Sequence, residues 1–151
     1  MSAPANPFEP PKASLDVPVD RDAPPLWNPD AAGAWSLLFT PIFGSLLVRR
    51  NWQDLGEQDK ARTGTIWLVV SIVVFLLSML IFPMAGFAYI FVWYFAFQRQ
   101  QTLYVKERWG KDYPRKGWLV PLVVALLGWI LVWLALVMLF AMIGGVMPRG
   151  T

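Results

Sequence analysis

Between Arg62 and Arg99 the chain runs for 36 residues, 63–98, without one charged side chain. No other feature constrains the fold as strongly. A soluble domain of 151 residues cannot shield so long an apolar run, whereas lipid solvates it. As one straight helix the run would extend about 54 Å, nearly twice the ~30 Å hydrocarbon core of a bilayer. It must therefore fold back. The turn is marked by Phe82, Pro83, Met84, Ala85 and Gly86, where proline removes a helix donor and glycine permits the reversal. Two helices follow, 66–82 and 84–98, the second continuing past Gln100 to Val105 in the headgroup layer.

Two further apolar runs flank this pair. Residues 31–48 are uncharged and end at Arg49 and Arg50, with Pro41 and Gly44 interrupting them. Eighteen residues span about 27 Å, the shortest comfortable crossing. A kinked span and a re-entrant hairpin both fit, and the span is the preferred reading. Residues 118–147 form the last run, long enough to tilt or to stop near Gly144 and Gly145. The expected fold is thus an all-α integral membrane protein. Its membrane domain covers 31–148, with four transmembrane helices at 31–48, 66–82, 84–98 and 118–143.

Residues 1–30 differ in kind. They hold eight of the 13 prolines and five acids against two bases, so the expectation is an extended, disordered tail. The start lacks the basic and apolar regions of a cleaved signal peptide, and the tail is expected to persist.

Charge placement orients the chain. Ten of the 13 Lys and Arg residues fall in loops 49–62 and 99–117. Four crossings put both loops on one side, and the preference of positive loops for the cytoplasm places them inside a bacterial-type inner membrane. The Pro83 turn and both termini then lie outside, while a re-entrant first segment would move the tail to the cytoplasm. The net charge of +3 is explained by these loops rather than by nucleic acid.

With no Cys and no His, disulfides, thiolate or imidazole metal sites and His-based catalysis are excluded. The four segments also lack Asp, Glu, Lys and Arg, the groups on which proton relays and most ion-coupled transporters rely. Their polar residues are Ser36 and Thr40, spaced i, i+4, Ser45, and Ser71 and Ser78, spaced i, i+7, so each pair faces one way. The loop carboxylates Asp54, Glu57, Asp59, Glu107 and Asp112 lack a nucleophile or metal partner set. No catalytic, cofactor-binding or metal-binding residue is assigned, no cofactor is expected, and the chain reads as a non-enzyme.

Nine tryptophans follow position. Trp27, Trp35, Trp52, Trp67, Trp109 and Trp118, with Tyr104 and Tyr113, sit near segment ends, where amphipathic rings favour the interface. Trp93, Tyr94, Trp129 and Trp133 lie deeper. Trp129 and Trp133 share a helix face and are expected to pack on Gly44 or on the Ser71 and Ser78 face. Val48 with Trp52 and Val105 with Trp109 recur where odd-numbered segments leave on the basic side, as an old two-helix duplication would leave them.

The stretch Asn28, Pro29, Asp30, Ala31, Ala32, Gly33, Ala34, Trp35, Ser36, Leu37, Leu38, Phe39, Thr40, Pro41, continued by Phe43, Gly44, Asn51 and Trp52, resembles a pattern of small proteobacterial inner-membrane proteins. The resemblance covers residues 27–120 and carries no catalytic residues. In size and layout the chain is also similar to membrane-resident immunity proteins against pore-forming type VI secretion effectors. The expected partners are membrane lipids and another membrane protein, in the sharpest version a pore-forming toxin. The alternative is a structural or assembly subunit of a larger membrane complex.

Overall fold

The computed structural model describes residues 23–80 and 82–146. Of the expected tail, residues 1–22 lie outside the described residues, as do Ile81 and the domain end at 147–148. The apolar runs form α1 (Pro29–Asp54), α2 (Gln58–Leu80), α3 (Pro83–Trp93), α4 (Arg99–Trp109) and α5 (Leu119–Val146). Among the described residues the sole β pairing is an isolated bridge between Leu26 and Arg115. Helices α1, α2 and α5 are each long and apolar enough to cross a membrane. Helices α3 and α4 join through one wide turn, Tyr94–Gln98, where the Arg99 N–H donates to the Tyr94 carbonyl five residues back. Together they make a continuous rod over residues 83–109, about 40 Å long. Among the described residues the chain is all-helical, and its long apolar helices make it a membrane protein.

Length and composition mislead for α1. Thr40 adopts φ 72° and ψ 159°, a conformation natural to glycine alone, and Pro41 follows it without an N–H to continue the ladder. The helix therefore divides into arms 29–39 and 41–54, and these fold back on each other. At the base, the Asn51 side chain holds both backbone groups of Trp27: the Trp27 N–H donates to Oδ1 (3.0 Å) and Nδ2 donates to the Trp27 carbonyl (2.8 Å). A straight helix would hold these residues about 36 Å apart. Midway, a Cβ placed on Gly44 would lie 2.1 Å from Ser36 Oγ. The arms reach about 16 and 21 Å, short of the ~30 Å core. The preferred span through 31–48 is thus corrected: the segment is a helical hairpin whose two ends meet.

The corner between α1 and α2 is closed by backbone chemistry. Gly56, at φ 75°, donates to the Gln53 carbonyl, and the Glu57 N–H donates to that of Trp52. This 6→1 and 5→2 pair is a Schellman closure, which needs a left-handed residue. Helix α2 then starts at Gln58, eight residues before the expected span at 66. Gly64 lets α2 approach α1 closely, since a Cβ there would meet Arg49 Cβ at 2.9 Å. At the far end, Pro83 opens α3 as expected.

The segment from Ala23 is docked rather than extended into solvent, which corrects the tail boundary at 30. Leu26 donates to the Pro114 carbonyl (3.0 Å) and accepts from the Lys116 N–H (2.9 Å). Ala23 and Leu26 are buried against Val105 and Trp109, and Pro29 and Asp30 already form the first turn of α1. The N-terminal segment, the α1–α2 corner, α4 and the 110–118 loop therefore share one polar cap. Helix α5 leaves this cap and touches the rest mainly through Trp118, Leu122 and Ala125, which pack on Ala32, Phe43 and Leu47. Beyond that contact its apolar length is uncovered.

Candidate functional site

A polar seam runs from the hairpin tip to its base, where α1, α2 and the α3–α4 rod meet. At depth it is a hydroxyl chain whose donors can be assigned. Ser71 Oγ donates its one proton to the Trp67 carbonyl (2.7 Å). Tyr89 OH (2.9 Å) and Ser45 Oγ (3.4 Å) must then donate to Ser71, and the Trp93 indole N–H donates to Ser45 Oγ (2.8 Å). In this chain of Ser45, Ser71 and Tyr89 each hydroxyl proton has an acceptor, as a bilayer interior demands, whereas the buried Ser78 hydroxyl on the same face has no partner among the described residues. Bonds of this kind between helices contribute about 0.6 kcal/mol each. Trp93 is fully buried and presses its ring on Gly44.

Nearer the cap the seam is built of amides. The second Asn51 donor goes to Gln101 Oε1 (3.0 Å), and Gln101 Nε2 donates to the Val48 carbonyl (2.9 Å). Gln98 Nε2 donates to the Pro29 carbonyl at the start of the first arm, and Gly33 leaves room for that amide. Asn51, Gln98 and Gln101 are fully buried. All three clamp the hairpin base to the rod.

Several sequence expectations meet this geometry differently. Ser71 and Ser78 do share a buried face, Ser78 lying beside Gly86. Ser36 and Thr40 do not pair, because Thr40 is the reversal point and Ser36 Oγ bonds the Ala32 carbonyl (2.7 Å). Gly44 receives Trp93 and not Trp129 or Trp133, which stay substantially exposed on α5 with ring centroids 6.0 Å apart. The recurring pairs Val48 with Trp52 and Val105 with Trp109 are all buried. Sequence reasoning missed Asn51, Tyr89, Gln98 and Gln101. The signal for Gln98 and Gln101 was their spacing with Val105 and Trp109 along one helical face.

The loop carboxylates serve the cap. Tyr104 OH donates to Glu57 Oε1 (2.7 Å), and Lys60 pairs with Glu57 Oε2 (3.4 Å) while lying 4.2 Å from the Tyr104 ring centre. The Tyr104 bond, aided by Lys60 and Arg108, holds the Glu57 carboxyl below its usual range. Burial and the Glu57 bond push the Tyr104 phenol up to about 12. Asp54 pairs with Lys116, and Asp59 with Arg62 (3.7 Å). Among the described residues no three of His, Cys, Asp and Glu gather as metal ligands. Comparison with family models, with curated proteins and with solved structures finds no match for this chain.

Proposed function

We propose that this chain is a non-enzymatic inner-membrane protein that binds another protein within the bilayer, and in its sharpest form neutralises a pore-forming bacterial toxin there. The observation that carries this reading is α5. The polar groups of the seam hold the chain's own helices together, whereas α5 is anchored at one end and leaves a long apolar surface open. Recognition inside a membrane needs such a surface and no reactive group. In this reading the protein crosses three times, by α2, the α3–α4 rod and α5, with the α1 hairpin dipping in from the cytoplasmic face. The cap carries the ten basic loop residues, which favours the cytoplasm for it and the opposite side for the end of α5.

The test is paired. A photo-crosslinking residue at Val137, exposed on α5, should capture a single membrane partner, and loss of the gene should sensitise cells to one co-encoded pore-former. Capture of an envelope or respiratory subunit, with toxin survival unchanged, would replace neutralisation by the assembly-subunit reading.

A further inference from the structure

A groove of about 530 Å³ lies between α5, the second arm of the hairpin and α2. Its walls are apolar, with Phe43, Leu47, Phe75, Val124 and Trp129 among them. Along α5 it extends from Val120 to Leu136, about 24 Å. Elongated and apolar-walled, the groove suits an extended hydrocarbon chain continuous with the lipid around α5.

The lining contains one charge, Arg50, where the groove meets the cap beside Trp27. Lys116, whose ammonium lies over the Trp27 ring, is engaged by Asp54. Arg50 is exposed and has no ion-pair partner among the described residues. An exposed guanidinium where an apolar groove meets the polar cap is complementary to a phosphate ester bearing an acyl tail.

We propose that this groove is a binding site for one anionic phospholipid, its acyl chain lying along α5 and its headgroup phosphate on Arg50. The full chain, purified in detergent, is examined by native mass spectrometry with dioleoyl phosphatidylglycerol, dioleoyl phosphatidylcholine or glycerol phosphate. One phosphatidylglycerol should be retained about fivefold better than phosphatidylcholine, the equivalent of about 1 kcal/mol for one basic residue. Glycerol phosphate alone should not be retained. Arg50→Gln should erase the preference while a lipid still binds. Gly128→Phe should displace both lipids by filling the groove; a Cβ at Gly128 meets nothing within 4 Å, and helicity by circular dichroism checks its fold. Equal retention of the two lipids by the unaltered chain, or undiminished phosphatidylglycerol on Gly128→Phe, would overturn the proposal. So would a dimeric mass without lipid that Gly128→Phe dissociates, which would make a second copy the occupant.

Discussion

Substituting Gly44 by Ala tests the hairpin directly, because the two possible shapes of α1 give effects of opposite sign. In the folded hairpin the new methyl would sit 2.1 Å from Ser36 Oγ and 2.4 Å from the Trp93 ring. Neither neighbour yields freely: Ser36 is bonded to the Ala32 carbonyl and Trp93 is fully buried with its indole bonded to Ser45. Overpacking of this kind costs about 1–3 kcal/mol. Displacing Trp93 adds the loss of its bond, about 0.6–1.7 kcal/mol. Gly128→Ala is the control, since its methyl meets nothing within 4 Å and should gain up to about 1 kcal/mol of helix propensity. The two variants should therefore differ by about 3 kcal/mol. Equilibrium unfolding in mixed micelles, followed by tryptophan fluorescence, measures the difference. In a straight α1, Ser36 and Gly44 would stand about 12 Å apart and both alanines would stabilise. Equal stabilisation would refute the hairpin.

Further outcomes follow from the same contacts. Thr40→Gly should stabilise the protein by about 1–2 kcal/mol in that assay, because it removes a side chain from a backbone region that glycine favours. Asn51→Leu should destabilise by about 2–4 kcal/mol, since both Trp27 backbone groups and Gln101 Oε1 lose their partner; a loss below 1 kcal/mol would show that Trp27 does not need the clamp. The depressed Glu57 carboxyl contributes stability at neutral pH that is lost as pH falls through its folded range, and the raised Tyr104 phenol contributes stability lost as pH rises from about 10 towards about 12. Tyr104→Phe should flatten both limbs of the stability profile, and an unchanged profile would detach the pair from folding. Single cysteines at Pro25 and Gln58 should resist an impermeant thiol reagent in intact cells, whereas one at Met84 should label. Different protection at Pro25 and Gln58 would separate the N-terminal segment from the cap.

Much of this architecture can be read from charge spacing. The uncharged run 63–98 with Pro83 near its middle dictated a helical pair, and the continuation of the second helix into the headgroup layer is the rod that forms. The basic loops also gather at one end. The hairpin was visible only as an ambiguity: Pro41 and Gly44 mark a break, but a kinked span carries the same marks. What decides between them is Asn51 reaching Trp27 and Ser36 reaching Gly44, pairings that no local pattern encodes. Likewise Gln98 and Gln101, next to Arg99 and Gln100, read as polar trim on a helix leaving the membrane. Their burial depends on where the hairpin base lies.

The wide turn at Tyr94–Gln98 bears on how this chain tolerates change in length. At about 100° per residue, an unbroken α-helix would set Trp93 and Trp109 about 160° apart, on opposite flanks of the rod. Taking up one residue in the five-residue closure reduces this to about 60°, so Trp93 can face the hairpin tip while Gln98, Gln101 and Val105 face its base. The turn thus behaves as a stored insertion. Loss of one residue at exposed Ala96 would be absorbed by reversion to ordinary helix, with every downstream contact kept in phase. The same loss in α4, at exposed Leu103, has no such slack and would swing Tyr104 and Trp109 away from the cap.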